Sequence, residues 1–160
     1  MKYDFIGDIH GHAQLLERIL LKLGYQSEGN SYVASDQERK VVFLGDYIDR
    51  GPQNRRVIEI VRSMTETGQA IALMGNHEFN AICYHTRSSS GNDYLRPHIS
   101  KNEKQHESFL REYQANSAEL EETISWFRSL PIWWEDPDVR AIHACWYEPA
   151  REFLFDHGLT

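Results

Sequence analysis

The sequence is poor in cysteine and contains no long apolar run. Cys83 and Cys145 are its only cysteines and form no Cys-x-x-Cys pair, which predicts two buried, unpaired thiols in a reducing compartment. No apolar segment approaches the ~18 residues of a membrane span. The acidic Asp4 and Asp8 interrupt any signal-peptide core near the start of the chain. We therefore expect a cytoplasmic protein that does not bind membranes.

Basic residues are scarce relative to acidic ones. The chain has 17 Lys and Arg against 24 Asp and Glu, and its formal net charge is −7. This balance argues against stable nucleic-acid binding, although a bound metal ion could still attract a small anionic substrate. No Gly-x-Gly-x-x-Gly follows the first predicted strand, so a dinucleotide-binding domain is disfavoured. The 160 residues are expected to form one domain, residues 1–160.

Three short apolar segments each stop at a glycine followed by a polar residue. Strands are predicted at residues 3–6, 41–44 and 70–74, and helical apolar spacing follows each of them. Repeated strand–loop–helix units predict an α/β fold with a largely parallel sheet. Because ligands bind at the carboxyl ends of parallel strands, the residues of the three loops are expected to converge there.

The chain after the third unit is expected to be less regular. Residues 86–117 lose the apolar periodicity, and we interpret them as a polar insertion or lid that is helical near 109–113. A helix and a hairpin are predicted beyond this segment, at residues 119–130, 132–134 and 139–144. His143 lies at the end of the last predicted strand.

The three loops and the last strand offer a set of hard metal ligands. Two adjacent divalent cations require oxygen and imidazole ligands and a carboxylate that bridges them. Asp8 and His10 are two residues apart after the first strand, Asp46 follows the second, Asn76 follows the third, and His143 adds an imidazole. Each residue alone is more typical of a turn, a cap or an ordinary core or surface histidine. The ordered combination indicates a metal centre.

The ordered motifs resemble those of the calcineurin-like metallophosphoesterase superfamily, which includes protein serine/threonine phosphatases and diadenosine polyphosphate hydrolases. The matching residues are Gly-Asp-Ile-His-Gly at 7–11, Gly-Asp-Tyr-Ile-Asp-Arg-Gly at 45–51, Gly-Asn-His-Glu at 75–78 and Ile-His-Ala at 142–144. The glycines that end the first two motifs resemble the phosphoprotein-phosphatase-like branch, the type of bacterial serine/threonine phosphatases and diadenosine tetraphosphatases. This resemblance implies a layered αββα-type fold.

The resemblance also implies the ligands of two divalent metal ions. Asp8 and His10 would bind the first metal, Asp46 would bridge the two, and Asn76 and His143 would bind the second. Manganese is the expected metal. Iron, zinc, nickel and cobalt remain compatible with the same ligands.

The catalytic roles implied by the resemblance belong to three further side chains. A metal-bridging hydroxide would attack phosphorus, and His77, oriented by Asp49, would protonate the leaving oxygen. Arg50 would bind phosphate oxygens together with Asn76. The expected substrates are a phosphorylated small molecule, a dinucleotide or nucleotide polyphosphate, or a phosphoprotein.

One element of the family pattern is missing. A final Gly-His motif is expected to supply another metal ligand, but His157 stands before Gly158 in the reversed order and soon after His143. The chain therefore resembles the N-terminal part of a longer enzyme, with a fold incomplete at the C-terminus. The alternative is a truncated, non-catalytic or weakly active metal-binding domain, and the oligomeric state stays open.

The remaining histidines and several basic residues are expected to be structural or solvent-exposed. The histidines in question are His12, His85, His98 and His106. For the basic residues of the polar insertion, a solvated lid is favoured over contact with a second phosphate or a peptide; they are Arg87, Arg96 and Lys101.

Overall fold

The computed structural model describes residues 1–158. Within that range the chain forms seven strands and six helices. In chain order they are β1 (Lys2–Ile6), α1 (Ala13–Lys22), β2 (Tyr25–Glu28), β3 (Ser31–Ala34), β4 (Arg39–Phe43), α2 (Asn54–Glu66), β5 (Ala70–Ala72), α3 (Asn76–His85), α4 (Ser100–Tyr113), α5 (Ser117–Ser129), β6 (Trp133–Glu135), β7 (Arg140–Ile142) and α6 (Glu148–Asp156).

The central sheet is parallel and has the order β1-β4-β5. Ile6 pairs with Phe43, and Phe43 pairs with Ala72, so the three strands end at the same level. This level register brings the loop after each strand to one edge of the sheet. The predicted strand–loop–helix units and their shared edge are confirmed.

The two faces of the sheet are covered by different layers. Val41 and Phe43 of β4 join the main core with the apolar faces of α1 and α2. Val42 points to the opposite face and packs with Ala141 of β7 and Trp134 of β6. This alternation follows from the two-residue period of a strand. The result is the predicted layered α/β architecture, in which parallel pairing is confined to the central sheet and both hairpins are antiparallel.

The β6–β7 hairpin lies where the sequence predicted one. Trp133 pairs with Ile142, and the turn is closed by Asp136, whose Oδ1 accepts hydrogen bonds from the backbone N–H groups of Asp138 and Val139, both at 2.9 Å. This short aspartate-stabilised turn places His143 directly after β7, at the edge of the sheet where the other loops meet.

The polar segment 86–117 is more helical than expected. Helix α4 spans Ser100–Tyr113, whereas the sequence indicated helix only near 109–113. The buried side of α4 consists of His106, Phe109 and Tyr113, whose rings stack at centroid distances of 4.7 and 4.5 Å. This buried face is narrow and includes a histidine, so the apolar periodicity of the sequence did not predict the full length of the helix.

Other differences from the expectations are local. The β2–β3 hairpin and α6 were not predicted. Cys83 and Cys145 are unpaired as expected, but Cys83 is half-buried and Cys145 is exposed, which corrects the prediction of two buried thiols. None of the helices in residues 1–158 has both the length and the apolar content to cross a membrane.

Candidate active site

The backbone of the first two motif loops adopts the left-handed conformation at several residues. Among residues 1–158, five residues other than glycine have positive φ, and all five lie in these loops. They are Asp8 (φ 53°), His10 (46°), Asp46 (57°), Asp49 (72°) and Arg50 (66°). Such left-handed positions cost on the order of 1–3 kcal/mol each and concentrate at functional sites. The strain therefore marks the same side chains as the sequence motifs.

The motif loops touch through their backbones. A Cβ atom on Gly45 would lie 2.4 Å from the backbone N of Gly75, and one on Gly51 would lie 2.5 Å from the carbonyl oxygen of His10. The N–H groups of His10 and Gly11 donate to the carbonyl oxygens of the second loop at 2.9 and 2.7 Å. The glycines of the motifs are thus required for close approach of the loops, and the loops form one rigid frame.

Glu78 holds the second and third loops together. Its carboxylate accepts hydrogen bonds from the backbone N–H groups of Asp46 (2.8 Å), Tyr47 (2.8 Å) and Gly75 (3.0 Å). Complete burial raises the pKa of Glu78 to about 7. The sequence did not predict a separate role for Glu78, because its partners Asp46 and Tyr47 lie about thirty residues earlier in the chain.

Glu78→Ala is expected to destabilise the fold by more than about 3 kcal/mol, because three buried N–H groups lose their acceptor and each unmet group costs ~1–3 kcal/mol. Glu78→Gln should cost less, since one carbonyl oxygen remains. Glu66→Gln, at an exposed ion pair with Arg62, is the control and should stay within about 0.5 kcal/mol. Urea unfolding measures all three, and equal stability of the Glu78→Gln and Glu66→Gln variants would contradict the assignment.

His10 has the geometry of a metal ligand. Its Nδ1 lies 2.9 Å from the carbonyl oxygen of Ile48, so Nδ1 carries the proton and Nε2 carries a lone pair. Nε2 is buried, has no hydrogen-bond partner and lies 3.7 Å from Oδ2 of Asp46. A buried lone pair beside a carboxylate is unfavourable by itself and is stabilised by a cation between them.

His143 repeats this arrangement on the other side of Asp46. Its Nδ1 donates to the carbonyl oxygen of Leu44 at 2.7 Å, so its Nε2 also carries a lone pair. Nε2 lies 3.0 Å from Oδ1 of Asn76 and 3.5 Å from Oδ1 of Asp46. Three acceptor atoms therefore converge, which fits a divalent cation. The predicted ligands Asn76 and His143, 67 residues apart in the chain, are brought into contact.

The two carboxylate oxygens of Asp46 face different ligand groups. Ligand atoms of His10, Asp46 and His77 lie within 4.8 Å of one another, and so do those of Asp8, Asp46 and His143. Asp46 is common to both groups, as a bridging carboxylate requires. The groups differ from the expected ligand sets, because Asp8 is grouped with Asp46 and His143, and His77 is grouped with His10 and Asp46. The donor set fits two divalent metal ions.

His77 belongs to a buried chain of hydrogen bonds that includes an unexpected residue. Its Nδ1 lies 2.5 Å from Oδ2 of Asp49, and Nδ1 of His106 lies 2.7 Å from the other oxygen of Asp49. The three side chains are buried. The sequence placed His106 among the structural or exposed histidines, so its contact with Asp49 is a finding of the structure.

The electrostatics of this chain favour an ionised Asp49. Burial opposes ionisation, but the hydrogen bonds from His106 and His77 outweigh it and hold the pKa of the Asp49 carboxyl below its ordinary value. Burial also disfavours a charged His77, yet the hydrogen bond to Asp49 and the charge of Asp46 raise the pKa of His77 above its ordinary value. The arrangement is suited to holding a proton on His77.

The remaining candidate residues divide into two groups. Arg50 is exposed at the cavity that reaches His77, where it can contact a substrate. His157 is an exposed residue at the end of α6 whose Nδ1 lies 2.7 Å from the carbonyl oxygen of Phe153. Neither ligand group found in residues 1–158 includes His157.

Several side chains of segment 86–99 contact one another or the neighbouring helices. His98 stacks between Tyr84 and Tyr94 at 3.9 and 4.0 Å. Arg87 lies over the Tyr94 ring, and Arg96 donates hydrogen bonds to two side chains of α4. These contacts support a structural role for His98, Arg87 and Arg96.

Comparisons with known proteins agree with this geometry. The sequence profile of one family, Calcineurin-like phosphoesterase, matches residues 1–160. A protein of Oceanobacillus iheyensis named bis(5'-nucleosyl)-tetraphosphatase PrpE [asymmetrical] is 44% identical over 77 residues, which are 48% of this chain and 30% of that protein. A Bacillus thuringiensis protein of the same name is 46% identical over 78 residues, with 48% and 31% coverage. The chain covers less than a third of the length of these relatives.

Solved structures show the same fold at low sequence identity. The crystal structure of a putative diadenosine tetraphosphatase aligns with a TM-score of 0.54 and 22% identity, covering 89% of this chain and 50% of that one. A cold-active protein-tyrosine phosphatase of a Shewanella species aligns with a TM-score of 0.60 and 20% identity, with 99% and 46% coverage.

Proposed function

Since the chain belongs to the calcineurin-like phosphoesterase family, we propose that it hydrolyses phosphate esters with the help of two divalent metal ions. The observation that carries the proposal is the position of Asp46 beside the buried pair of His77 and Asp49. Oδ2 of Asp46 lies 3.7 Å from Nε2 of His10, and its Oδ1 lies 3.5 Å from Nε2 of His143. A protein that only bound metal ions, or that had only a structural role, would not require the hydrogen-bonded pair of His77 and Asp49.

In this proposal Asp8, His10 and Asp46 hold one metal ion, and Asp46, Asn76 and His143 hold the other. The Asp8 carboxylate also lies within 4.8 Å of the ligand atoms of Asp46 and His143, so it is close to both sets. The ions, when bound, supply a hydroxide near neutral pH and positive charge for the phosphate oxygens. We propose manganese as the metal, and the same oxygen and imidazole donors also accept iron, zinc, nickel and cobalt. The hydrogen bonds that His10 and His143 donate to backbone carbonyls fix the rings so that both lone pairs point toward Asp46.

The protein's own side chains would complete the reaction. His77, whose Nδ1 proton is directed to Asp49, presents Nε2 as the proton donor to the leaving oxygen. The guanidinium of Arg50 would contact phosphate oxygens, because its planar fork matches two of them at once. The electrostatic stabilisation and the proton transfer are thus provided by neighbouring residues of the second and third loops.

We propose a dinucleoside polyphosphate as the substrate, with a phosphoprotein as the second candidate. The relatives named bis(5'-nucleosyl)-tetraphosphatase support the first choice. The net charge of −7 supports a small substrate over nucleic acid.

The direct test is hydrolysis of p-nitrophenyl phosphate by this chain with and without Mn²⁺. We expect metal-dependent turnover and two metal ions per chain by elemental analysis. Asp46→Asn should lower metal content and reduce turnover by more than the ~10–100-fold that loss of an outer-shell partner costs. Asp36→Asn, at an exposed surface ion pair with Lys2, is the control and should retain both. One metal per chain without turnover would establish the alternative, a non-catalytic metal-binding domain.

A further inference from the structure

The outer face of α4 lies beside the candidate active site. A cavity of about 220 Å³ is lined by Arg50 and His77 on one side and by Lys104, Ser108 and Arg111 of α4 on the other. A second cavity of about 150 Å³ shares Arg50, Ser108 and Arg111 with the first. The two cavities therefore lie next to each other along the helix.

Helical geometry puts these α4 side chains in one row. Lys104, Ser108 and Arg111 follow the spacing i, i+4 and i+7, which places them on one face of a helix. The buried face of α4 carries Phe109 and Tyr113, which pack in the main core. Because this packing in the core fixes the orientation of α4, it also fixes the position of the outer face relative to Arg50.

This row is cationic in a chain that is acidic overall. The larger cavity is lined by Arg50, Lys104 and Arg111, and Glu107 is the acidic residue that lines it. A second acid, Glu112, lines the smaller cavity, but its two oxygens accept hydrogen bonds from the backbone N–H groups of α2 at 2.7 and 2.9 Å. The three cations thus outnumber the two acids along the cavities, although the net charge of the chain is −7. Glu107 lies 3.6 Å from Arg111 and forms an exposed ion pair with it.

We propose that Lys104, Ser108 and Arg111 form a subsite for the non-reacting phosphate groups of a polyphosphate substrate. The inference rests on the proposed function and extends it to the substrate class. Each of these two cavities is smaller than the ~300–1,000 Å³ of sites that enclose a drug-sized ligand and so suits phosphate groups. Lys104 and Arg111 also line an adjoining cavity of about 820 Å³, whose size matches the rest of a nucleotide. Two cations spaced along a helix beside the general acid can contact successive phosphates of an extended chain.

The test compares a substrate that carries non-reacting phosphate groups with one that carries none. For Lys104→Gln and Arg111→Gln, the ratio of kcat/KM for diadenosine tetraphosphate to kcat/KM for p-nitrophenyl phosphate should fall about tenfold, as expected for one charge-assisted contact. Glu107→Gln should raise that ratio. Lys101→Gln removes the same charge from α4 at a position that does not line either cavity, and it should leave the ratio unchanged.

Three outcomes would overturn the subsite. They are an equal loss on both substrates, an equal effect of Lys101→Gln, and an equal loss on a phosphopeptide that carries a single phosphate. If the wild-type chain does not hydrolyse p-nitrophenyl phosphate, the proposed function fails, and binding of inorganic tripolyphosphate by calorimetry still tests the subsite. We expect Lys104→Gln and Arg111→Gln to weaken that binding about tenfold, a loss consistent with one charge-assisted hydrogen bond each; unchanged binding contradicts the assignment.

Discussion

Replacement of His77 by Asn is expected to remove most of the turnover and to leave both metal ions bound. Nδ1 of His77 is held by Asp49 at 2.5 Å, and Nε2 lies 3.9 Å from Asp46. A positioned general acid contributes ~10²–10⁴-fold to a rate, so a loss in that range is expected for substrates with a poor leaving group. The metal content should stay at two ions per chain, because neither proposed ligand set requires His77.

The choice of substrate separates a general acid from a metal ligand. The loss of turnover should be small for p-nitrophenyl phosphate, because its leaving group departs without protonation, and large for an alkyl phosphate. The alkaline limb of the pH profile should also disappear, since it reports the acid form of His77. His12→Asn, at an exposed histidine just after the first motif, is the control. Loss of a metal ion from the His77→Asn protein would instead assign His77 to the group formed with His10 and Asp46.

The sequence predicts the part of the site that depends on short-range signals. Each motif loop follows an apolar strand, and parallel strands in level register bring the loops together without further information. Asp8, Asp46 and Asn76 were therefore predicted at one edge of the sheet, and the structure places them there. The close approach of Gly45 to Gly75 explains why the second and third loops begin with glycine.

The supporting residues were not predictable in the same way. Glu78 acts through three backbone N–H groups, and backbone partners leave no trace in the residue types around them. His106 lies in a helix whose buried face is aromatic and short, so its periodicity is weak. A polar residue that supports a site from a distant segment becomes visible only when the packing of that segment is known.

His106→Leu is expected to reduce turnover about 10–100-fold, the usual cost of losing a hydrogen-bond partner behind a site residue. Oδ1 of Asp49 accepts from His106 and Oδ2 accepts from His77. Loss of His106 leaves one buried carboxylate oxygen without a partner and lets the carboxylate turn away from His77. The change should appear in kcat more than in KM. His106→Asn should restore much of the rate, since its amide can donate to Oδ1.

A double-mutant cycle decides whether His106 acts through Asp49. If it does, adding His106→Leu to an Asp49→Asn protein should cost less than about threefold, because contacting residues are not additive. The stacked rings of His106 and Phe109 also contribute to the fold, so unfolding of all four proteins must be measured alongside turnover. An equal loss of rate in both backgrounds would show that His106 serves packing alone. If His106→Leu lowers turnover only in the protein that retains Asp49, α4 has a part in orienting the proton donor. In that case His106 of this helix supplies the hydrogen bond that fixes Asp49 against His77.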